Sequence, residues 1–245
     1  MNALVIICLR PVESLCAFYN SFNEYYDVFM IIDDEHFDYN RLEKIYTNIT
    51  FVSIDKSVCI ENHFKNTSHL TINKEVSGWD KALYYFAIVR TEYSYIWFLE
   101  DDVYIYNINT LLNIDKKYEH YDLLSNTVYK EAKLDEWHWE NIQIQFPPPY
   151  FCGMCCASRM SRNMLLSLNT YSHEYKTLFF LEACFPTIAK YFNLKILDSP
   201  QEFQTVTYNR KWDFPADFNE TGIFHPIKNP DRRQMICQHL NHSST

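Results

Sequence analysis

Glycine is scarce in this chain of 245 residues and occurs three times, at Gly78, Gly153 and Gly222. No two of these glycines lie close enough to build a glycine-rich turn around a phosphate, so the P-loop and the G-x-G-x-x-G dinucleotide turn are both excluded. If this protein binds a nucleotide, it must hold the phosphates in another way. A metal ion is the obvious substitute.

Positive charge and long apolar runs are also in short supply. Lys and Arg number 22 against 31 Asp and Glu, a net charge of −9, which argues against nucleic acid as a partner because phosphate backbones need a basic face. No segment approaches the roughly 18 apolar residues that a membrane helix needs. The first apolar run, residues 3–9, has no basic residue before it and is stopped by Arg10-Pro11, which favours a core strand over a signal peptide. We therefore expect a cytoplasmic protein.

Cysteine is present eight times, and its use favours a reducing compartment. Cys8 and Cys184 stand inside apolar runs, where a free cysteine behaves as a small hydrophobic residue. The cluster Cys152, Cys155, Cys156 is compatible with zinc, but neither a second C-x-x-C nor a matching His pair accompanies it. We favour buried strand thiols, with zinc as the alternative.

Short apolar runs alternate with helical patterns in the first half of the chain. Continuous apolar strands separated by helices are typical of a mostly parallel α/β sheet covered on both faces, and 245 residues suit one domain. The predicted strands cover residues 3–9, 28–32, 49–54 and 93–99, and the predicted helices cover 12–23, 41–46 and 74–90.

The second half is less regular. Strands are predicted at 121–129, 150–158 and 194–197, and helices at 159–168 and 176–192. The second of these helices should be interrupted at Pro186, because a proline ring clashes with the carbonyl four residues earlier. The segment 130–149 is too polar and proline-rich for a core element.

Two acidic clusters follow predicted strands: Asp33-Asp34-Glu35 and Glu100-Asp101-Asp102. Ligands of parallel sheets bind beyond the carboxyl ends of the strands. Three adjoining carboxylates repel one another unless a cation or strong donors relieve them, and oxygen ligands suit Mg²⁺ or Mn²⁺. Alternation along the strand should point Glu100 and Asp102 one way and Asp101 the other. From spacing alone, a solvated acidic turn is equally compatible.

The run YSYIWFLEDDVYI resembles the D-x-D metal-binding signature of GT-A glycosyltransferases. Its E-D-D form is similar to that of the N-acetylglucosaminyltransferases that build branched N-glycans. The resemblance implies one GT-A-like domain over residues 1–245, with a nucleotide-sugar-binding half at 1–105 and an irregular acceptor-binding half with a tail at 106–245. It implies that Asp102 binds Mn²⁺ or Mg²⁺, while Glu100 and Asp101 lie near the donor ribose and sugar.

The same resemblance suggests further donor contacts. The family's N-terminal strand lies against the nucleoside, which matches LVIICLR and places Arg10 at the donor. An acidic residue after the second strand often contacts base or ribose, and Asp33 or Asp34 fits that place. Asp80 and Lys81 in SGWDKALYYF are possible donor contacts. The alternative for that segment is a capped amphipathic helix with Trp79 in the core.

The tail segment GIFHPIK, residues 222–228, resembles the H-P-x-K segment of many GT-A enzymes. The resemblance implies that His225 completes the metal shell or contacts the diphosphate, and neutral imidazole is a sound ligand for Mn²⁺. Lys228 can neutralise a phosphate as a point charge. The alternative is a surface His-Pro turn.

The acceptor side has weaker signals. Glu182 lies in a helix apolar on nearly every face, and burial raises a carboxyl pKa toward the range of a general base. In inverting GT-A enzymes a carboxylate from this region is the base, so the resemblance suggests Glu182; a buried glutamate paired with Arg or Lys is the alternative. Trp137 and Trp139 are interpreted as a stacking platform for the acceptor sugar or as a flap over the core.

The sequence therefore predicts a metal-dependent glycosyltransferase that moves a hexosyl or pentosyl group, with inversion, from a UDP- or GDP-linked donor to a hydroxyl of a glycan or glycoprotein. Two alternatives remain. A metal-dependent phosphoesterase would need further ligands for a second cation. A non-catalytic module would bind the nucleotide sugar without turnover.

Overall fold

A computed structural model of the chain describes residues 2–68, 74–128, 142, 144–145, 148–208, 210–212, 217–219 and 221–228. The strands are β1 (Asn2–Cys8), β2 (Asp27–Ile32), β3 (Ile49–Ser53), β4 (Tyr95–Glu100), β5 (Tyr104–Ile105), β6 (Leu123–Val128), β7 (Cys152–Ser161), β8 (Ile196–Leu197) and β9 (Ile223–Phe224). The α-helices are α1 (Glu13–Asn20), α2 (Asn40–Ile45), α3 (Lys56–Glu61), α4 (Gly78–Tyr84), α5 (Ile108–Lys117), α6 (Arg162–Tyr175) and α7 (Leu181–Tyr191).

The central sheet has seven strands in the order β3-β2-β1-β4-β7-β6-β8. Strands β1 to β4 are mutually parallel, β7 runs antiparallel to both of its neighbours, and β8 is parallel to β6. The mixed α/β class with a mostly parallel sheet is therefore confirmed. Strand order reverses at β1, which has β2 on one side and β4 on the other, so the crevice beyond the carboxyl ends of β1 and β4 is where a ligand is expected.

Helices cover both faces of the sheet. The residues of β1 illustrate why the strands of this sheet are apolar throughout. Ala3 and Val5 pack into the core formed with α4, α6 and α7. Leu4 and Ile6 pack into the opposite core, formed with α1 and α5. A strand buried on both faces has no solvated side to make polar, so its sequence reads as an unbroken apolar run.

The predicted helix at 74–90 differs from the structure at both ends. It begins at Gly78, because Ser77 and Asp80 form a capping box, and its last turn, Tyr85–Val89, is π-helical. Helix α3 was not predicted. It lies between the predicted strand at 49–54 and the predicted helix at 74–90, and the Asp55 side chain caps it by accepting from the Ser57 backbone N–H.

The second half departs further from the prediction. Helix α5 was not predicted; Asn107 caps it, and Leu111 and Ile114 bury one narrow stripe of an otherwise polar helix. Strand β7 continues to Ser161, so Arg159 lies in the sheet and not in the helix where we placed it. The Arg159 guanidinium is buried and pairs with Asp115 across 3.0 Å.

Helix α7 begins at Leu181, later than predicted, and runs continuously through Pro186. The predicted interruption at this proline is therefore wrong. Pro186 has no N–H to donate to the Glu182 carbonyl in the first turn, and the helix continues on both sides of this missing bond. That first turn contains Glu182.

The remaining expectations have mixed outcomes. All seven described cysteines are free, and six are buried while Cys152 is half-buried, as expected for strand and core thiols. Within the described residues, no helix has the length and apolar character to cross a membrane. Trp137 and Trp139 lie outside the described residues, so their acceptor role stays a prediction.

Candidate metal and donor site

Strand β4 carries the acidic run to the carboxyl edge of the sheet. Glu100 is its last residue and lies opposite Ile7 of β1, beside the point where strand order reverses. The chain then turns, with the Val103 backbone N–H donating to the Glu100 carbonyl at 3.0 Å. Asp101 and Asp102 occupy this turn, so all three carboxylates stand at the edge predicted for a ligand.

The chain tail returns to this turn through a two-stranded sheet. β9 pairs antiparallel with β5, and Tyr104 lies opposite Phe224. The Ile227 backbone N–H donates to the Asp102 carbonyl at 2.8 Å. A small apolar cluster of Tyr104, Trp212, Phe224 and Ile227 packs this attachment. It places His225, which is 6% exposed, beside Asp102.

His225 faces two carboxylates. Its Nε2 atom lies 3.2 Å from Asp102 Oδ1 and 3.8 Å from Glu100 Oε2. Its Nδ1 atom lies 2.8 Å from the Thr207 carbonyl oxygen, which can only accept, so Nδ1 carries a proton. A neutral ring therefore presents the Nε2 lone pair to Asp102 and Glu100. That arrangement is repulsive unless Nε2 is protonated or a cation lies among the three groups.

The ionisation of the site follows this geometry. Burial lowers the pKa of His225, but the Asp102 and Glu100 carboxylates outweigh it, so the pKa is raised. Burial raises the pKa of Glu100, and the charge of Asp102 raises it further, although the Trp79 hydrogen bond opposes both. The Asp102 charge contributes to both shifts, because negative charge is concentrated in a partly desolvated place, and a divalent cation would relieve it.

Trp79 connects this site to the core. Its ring packs on Phe98 and Phe185, as the core interpretation predicts. Its Nε1–H also donates to Glu100 Oε1 at 2.7 Å, which fixes the direction of that carboxylate. The sequence did not predict this bond, because nothing in the local pattern says where an indole N–H points.

Asp101 faces a different direction from its two neighbours. It lines a small depression together with Ser14, Leu15 and Phe18 of α1. Glu100 and Asp102 lie near His225, and Asp101 borders the depression beside α1.

Glu182 lies in the first turn of α7, near enough to Glu100 and His225 for both charges to act on it. Burial raises its pKa to about 7, the negative charge of Glu100 raises it as well, and His225 lowers it. These two residues are the charged groups that act on Glu182 within the described part of the chain. The alternative of an Arg or Lys partner for this buried glutamate therefore finds no support among the described residues.

A depression of about 440 Å³ opens at the carboxyl ends of β1 and β2. Asp34 accepts from Arg10 Nε at 2.6 Å, so two residues predicted to contact the donor pair with each other. Asp33 forms an ion pair with Lys74. The residues that line the depression are Leu9, Asp33, Asp34, Glu35, His36, Lys56, Ile60, Lys74, Glu75 and Val76.

Lys81 and Asp80 are structural in their contacts. Lys81 is 1% exposed, and its Nζ donates to the Asp33 carbonyl at 2.9 Å and to Glu35 Oε1 at 3.0 Å, which holds the loop after β2. Asp80 is fully buried and accepts from the backbone N–H groups of Ser77 and Thr67. Burial raises its pKa to about 6 although these bonds oppose the shift. Asp80 has no exposed surface with which to contact a donor. The alternative interpretation, a capped amphipathic helix with Trp79 in the core, describes this segment.

Gly78 lets α4 approach the strand ends. A Cβ at this position would lie 2.7 Å from Ile7 Cγ2, which is closer than two carbon atoms tolerate, and in van der Waals contact with Asp33 Cβ. The start of α4 thus packs directly on the ends of β1 and β2. At the other side of the site, Lys228 is exposed and follows the residue that bonds the Asp102 carbonyl.

Cys156 and Thr207 are two site residues that sequence reasoning did not assign. Cys156 joins Glu100 and His225 in a group whose ligand atoms all lie within 4.8 Å of one another. Its signal in the sequence was a C-x-x-C-C run that we interpreted as strand thiols. Thr207 acts through its backbone carbonyl, which any residue supplies, so no sequence signal exists for it.

No protein-family model matches this chain, and no curated protein sequence matches it. Among solved structures, an active-site mutant of LgtC is similar at 12% identity, covering 98% of this chain and 96% of that chain with a TM-score of 0.54. A synthase of 4-diphosphocytidyl-2C-methyl-D-erythritol from Anaerococcus prevotii has 9% identity, 98% and 97% coverage and a TM-score of 0.47. Mouse xyloside xylosyltransferase 1 has 12% identity, 81% and 85% coverage and a TM-score of 0.41.

At such identities the likeness concerns the fold alone, and the LgtC match is the one of these three that enters the argument. LgtC is a GT-A glycosyltransferase. The chain therefore has a GT-A-like fold, with its acidic turn, its returning tail and Glu182 at the carboxyl edge of the sheet.

Proposed function

We propose that this chain is a metal-dependent glycosyltransferase that transfers a sugar from a nucleotide-diphosphate sugar to a hydroxyl group of a glycan or glycoprotein. One observation carries the proposal: Glu100, Asp102 and His225 converge at the carboxyl edge of a GT-A-like sheet, with Glu182 beside them. The coarser claim, a nucleotide-sugar-using transferase, agrees with the fold of LgtC.

The three groups fit a divalent cation. Carboxylate oxygens and a neutral imidazole nitrogen suit Mn²⁺, and carboxylates suit Mg²⁺. The Thr207 carbonyl holds the His225 tautomer that leaves Nε2 free to coordinate, and Trp79 orients Glu100. Such supporting contacts are what a metal site requires of its surroundings. A bound cation would neutralise charge on the departing diphosphate.

The donor is proposed to lie along the carboxyl ends of β1, β2 and β4, within residues 1–105. Its nucleoside would occupy the depression of about 440 Å³, beside Asp33, Asp34 and Arg10. Its diphosphate would extend to the acidic turn, where the exposed Lys228 supplies a positive charge. Binding assays with UDP- and GDP-linked donors would distinguish a uridine site from a guanosine site.

Residues 106–245 are proposed to supply the acceptor side. Glu182 would take the proton of the acceptor hydroxyl while that oxygen attacks the anomeric carbon from the face opposite the diphosphate. The bond from carbon to diphosphate oxygen breaks as the new glycosidic bond forms, so the configuration inverts. A carboxyl pKa of about 7 suits this role, because the group is substantially ionised at neutral pH and still basic enough to accept a proton. Trp137 and Trp139 are proposed to stack on the acceptor sugar.

The test uses the purified 245-residue chain with Mn²⁺ and a panel of UDP- and GDP-sugars. We expect release of nucleoside diphosphate from at least one donor, with slow transfer to water where no acceptor is present. Asp102→Ala and Glu182→Gln should each reduce the rate at least about a hundredfold. Glu92→Ala is the matched control, because Glu92 is an exposed carboxylate that precedes β4 at the other edge of the sheet.

Each failure has a distinct meaning. Mn²⁺-dependent binding of a nucleotide sugar without any turnover would favour a non-catalytic binding module. Hydrolysis of simple phosphate esters in place of sugar transfer would favour a phosphoesterase. Full activity in a folded Asp102→Ala variant would remove the assignment of the cation site.

A further inference from the structure

Cys156 lies beside the carboxylate and the imidazole of the proposed cation site, close enough to be a further metal ligand. The β4–β7 ladder ends with Leu99 opposite Ala157, so the next residues on the two antiparallel strands, Glu100 and Cys156, come side by side. The Cys156 thiol lies 3.6 Å from Met154 Sδ on its own strand. The ligand atoms of Glu100, Cys156 and His225 all lie within 4.8 Å of one another.

The group is more than an acidic cluster or an isolated cysteine. It joins a sulfur, a nitrogen and a carboxylate oxygen, each from a different segment of the chain: β7, the residue after β9, and the end of β4. The His225 ring is oriented from behind by Thr207, and its Nε2 also lies 3.2 Å from Asp102 Oδ1. Three ligand atoms of three chemical types thus lie together, and the Asp102 carboxylate lies next to one of them.

We propose that Cys156 is a metal ligand, and that it gives this site a binding mode for thiophilic divalent cations such as Zn²⁺ and Cd²⁺ that Mn²⁺ and Mg²⁺ do not use. Thiolate and imidazole are the preferred ligands of zinc, whereas manganese and magnesium prefer oxygen. Cation binding replaces the thiol proton: the S–H bond is lost, a sulfur–metal bond forms, and the proton passes to the buffer. This inference takes the location of the cation from the proposed function. It does not depend on the transfer of a sugar.

Zinc binding alone would not test the role of the cysteine, because most nitrogen and oxygen sites prefer Zn²⁺ to Mn²⁺. The informative quantity is how the affinity for each ion changes when the sulfur alone is removed. Cys156→Ser keeps the shape of the side chain and replaces the soft sulfur by a hard oxygen. Cys152→Ser is the matched control, because Cys152 lies on the same strand, is half-buried, and does not belong to the ligand group.

The experiment titrates the metal-free 245-residue chain with Cd²⁺ and follows the ultraviolet charge-transfer band of a cadmium–thiolate bond. We expect the band to saturate at one Cd²⁺ per chain in the original protein and in Cys152→Ser, and to vanish in Cys156→Ser. The Cd²⁺ dissociation constant should rise at least about tenfold in Cys156→Ser. The Mn²⁺ dissociation constant, from calorimetry, should change by less than about twofold, because oxygen and nitrogen ligands remain.

Cd²⁺ binding without a charge-transfer band, or an unchanged band in Cys156→Ser, overturns the inference. Cadmium-113 NMR of the original protein shows independently whether a thiolate is a ligand, since such a ligand shifts the metal resonance strongly, and Cys156→Ala replaces Cys156→Ser if that variant fails to fold. The two proposals fail separately. A Cys156-dependent cadmium band without sugar transfer would leave the metal inference standing and remove the transferase, and sugar transfer with Mn²⁺ but no such band would do the reverse.

Discussion

His225 Nε2 lies 3.2 Å from Asp102 Oδ1, and this contact joins the returning tail to the turn that follows the central strand. Because Nδ1 donates to the Thr207 carbonyl, Nε2 is the one ring nitrogen that faces the carboxylates. We expect His225→Gln to weaken Mn²⁺ binding by about tenfold or more, since an amide is a poorer ligand and loses the fixed orientation. Isothermal calorimetry measures this change.

The control for that prediction is His120→Gln, because His120 is 78% exposed and pairs with the neighbouring Glu119. Its Mn²⁺ affinity should equal that of the original protein. Equal affinities in His225→Gln and His120→Gln would show that His225 is a hydrogen-bonded core histidine and no ligand.

The second prediction concerns the pH dependence of stability at Glu182. Its pKa is raised from 4.5 to about 7 in the folded protein, chiefly by burial. The folded state therefore favours the protonated acid, and this contribution is complete below pH 4.5 and is lost as the pH rises through 7. Glu182→Gln mimics the protonated acid at every pH. At about pH 8 it should be more stable than the original protein by up to about 3 kcal/mol, and near about pH 4 the two should be equal.

Urea unfolding of metal-free protein at several pH values measures this difference. Glu119→Gln is the control, because that glutamate is 64% exposed and should give no pH-dependent difference. A Glu182→Gln variant that is less stable than the original protein above the folded-state pKa would contradict the predicted burial of an unpaired carboxylate.

The third prediction separates the two roles of Trp79. Trp79→Phe keeps an aromatic ring against Phe98 and Phe185 but removes the N–H that donates to Glu100. We expect a loss of about 1–3 kcal/mol in unfolding free energy and a roughly tenfold weaker Mn²⁺ affinity, since Glu100 is no longer oriented.

Trp97→Phe is a matched control for Trp79→Phe. Trp97 is fully buried and its Nε1–H donates to Asp115 Oδ1 at 3.0 Å, so the same chemical change is made on another carboxylate. This variant should lose similar stability and keep its Mn²⁺ affinity. If both variants lose the same Mn²⁺ affinity, the effect of Trp79 is general destabilisation and not orientation of Glu100.

The sheet and the acidic turn were predictable because both leave local marks in the sequence. A strand covered on both faces is continuously apolar, and the run YIWFL ends where three carboxylates begin, so both the element and its exposed end are visible. The resemblance located His225, whose approach to Asp102 depends on the pairing of β5 with β9. Local pattern alone would have left it in a surface turn.

The misplaced elements depend on contacts between distant residues. Arg159 has a side chain typical of a helix surface, but pairing of β7 with β4 and β6 and the ion pair with Asp115 keep it in the sheet. Helix α5 buries only a narrow stripe of apolar side chains. Its many polar residues therefore obscure the helical period in the sequence. The position of Cys156 beside Glu100 follows from strand register, which no local pattern determines.

The fourth prediction tests the structural role of Asp80. Asp80→Asn places an NH₂ group against the backbone donor of either Ser77 or Thr67 and should cost about 1–3 kcal/mol of unfolding free energy, because a buried donor loses its acceptor. Affinity for Mn²⁺ and for a nucleotide sugar should change less than about twofold. Asp55→Asn is the control: Asp55 caps α3 from an exposed position, and Asn is an equally good N-cap residue, so stability should hold within about 0.5 kcal/mol. If Asp80→Asn instead keeps its stability and binds a nucleotide sugar at least tenfold more weakly, the carboxylate contacts the donor and its structural role is not the main one.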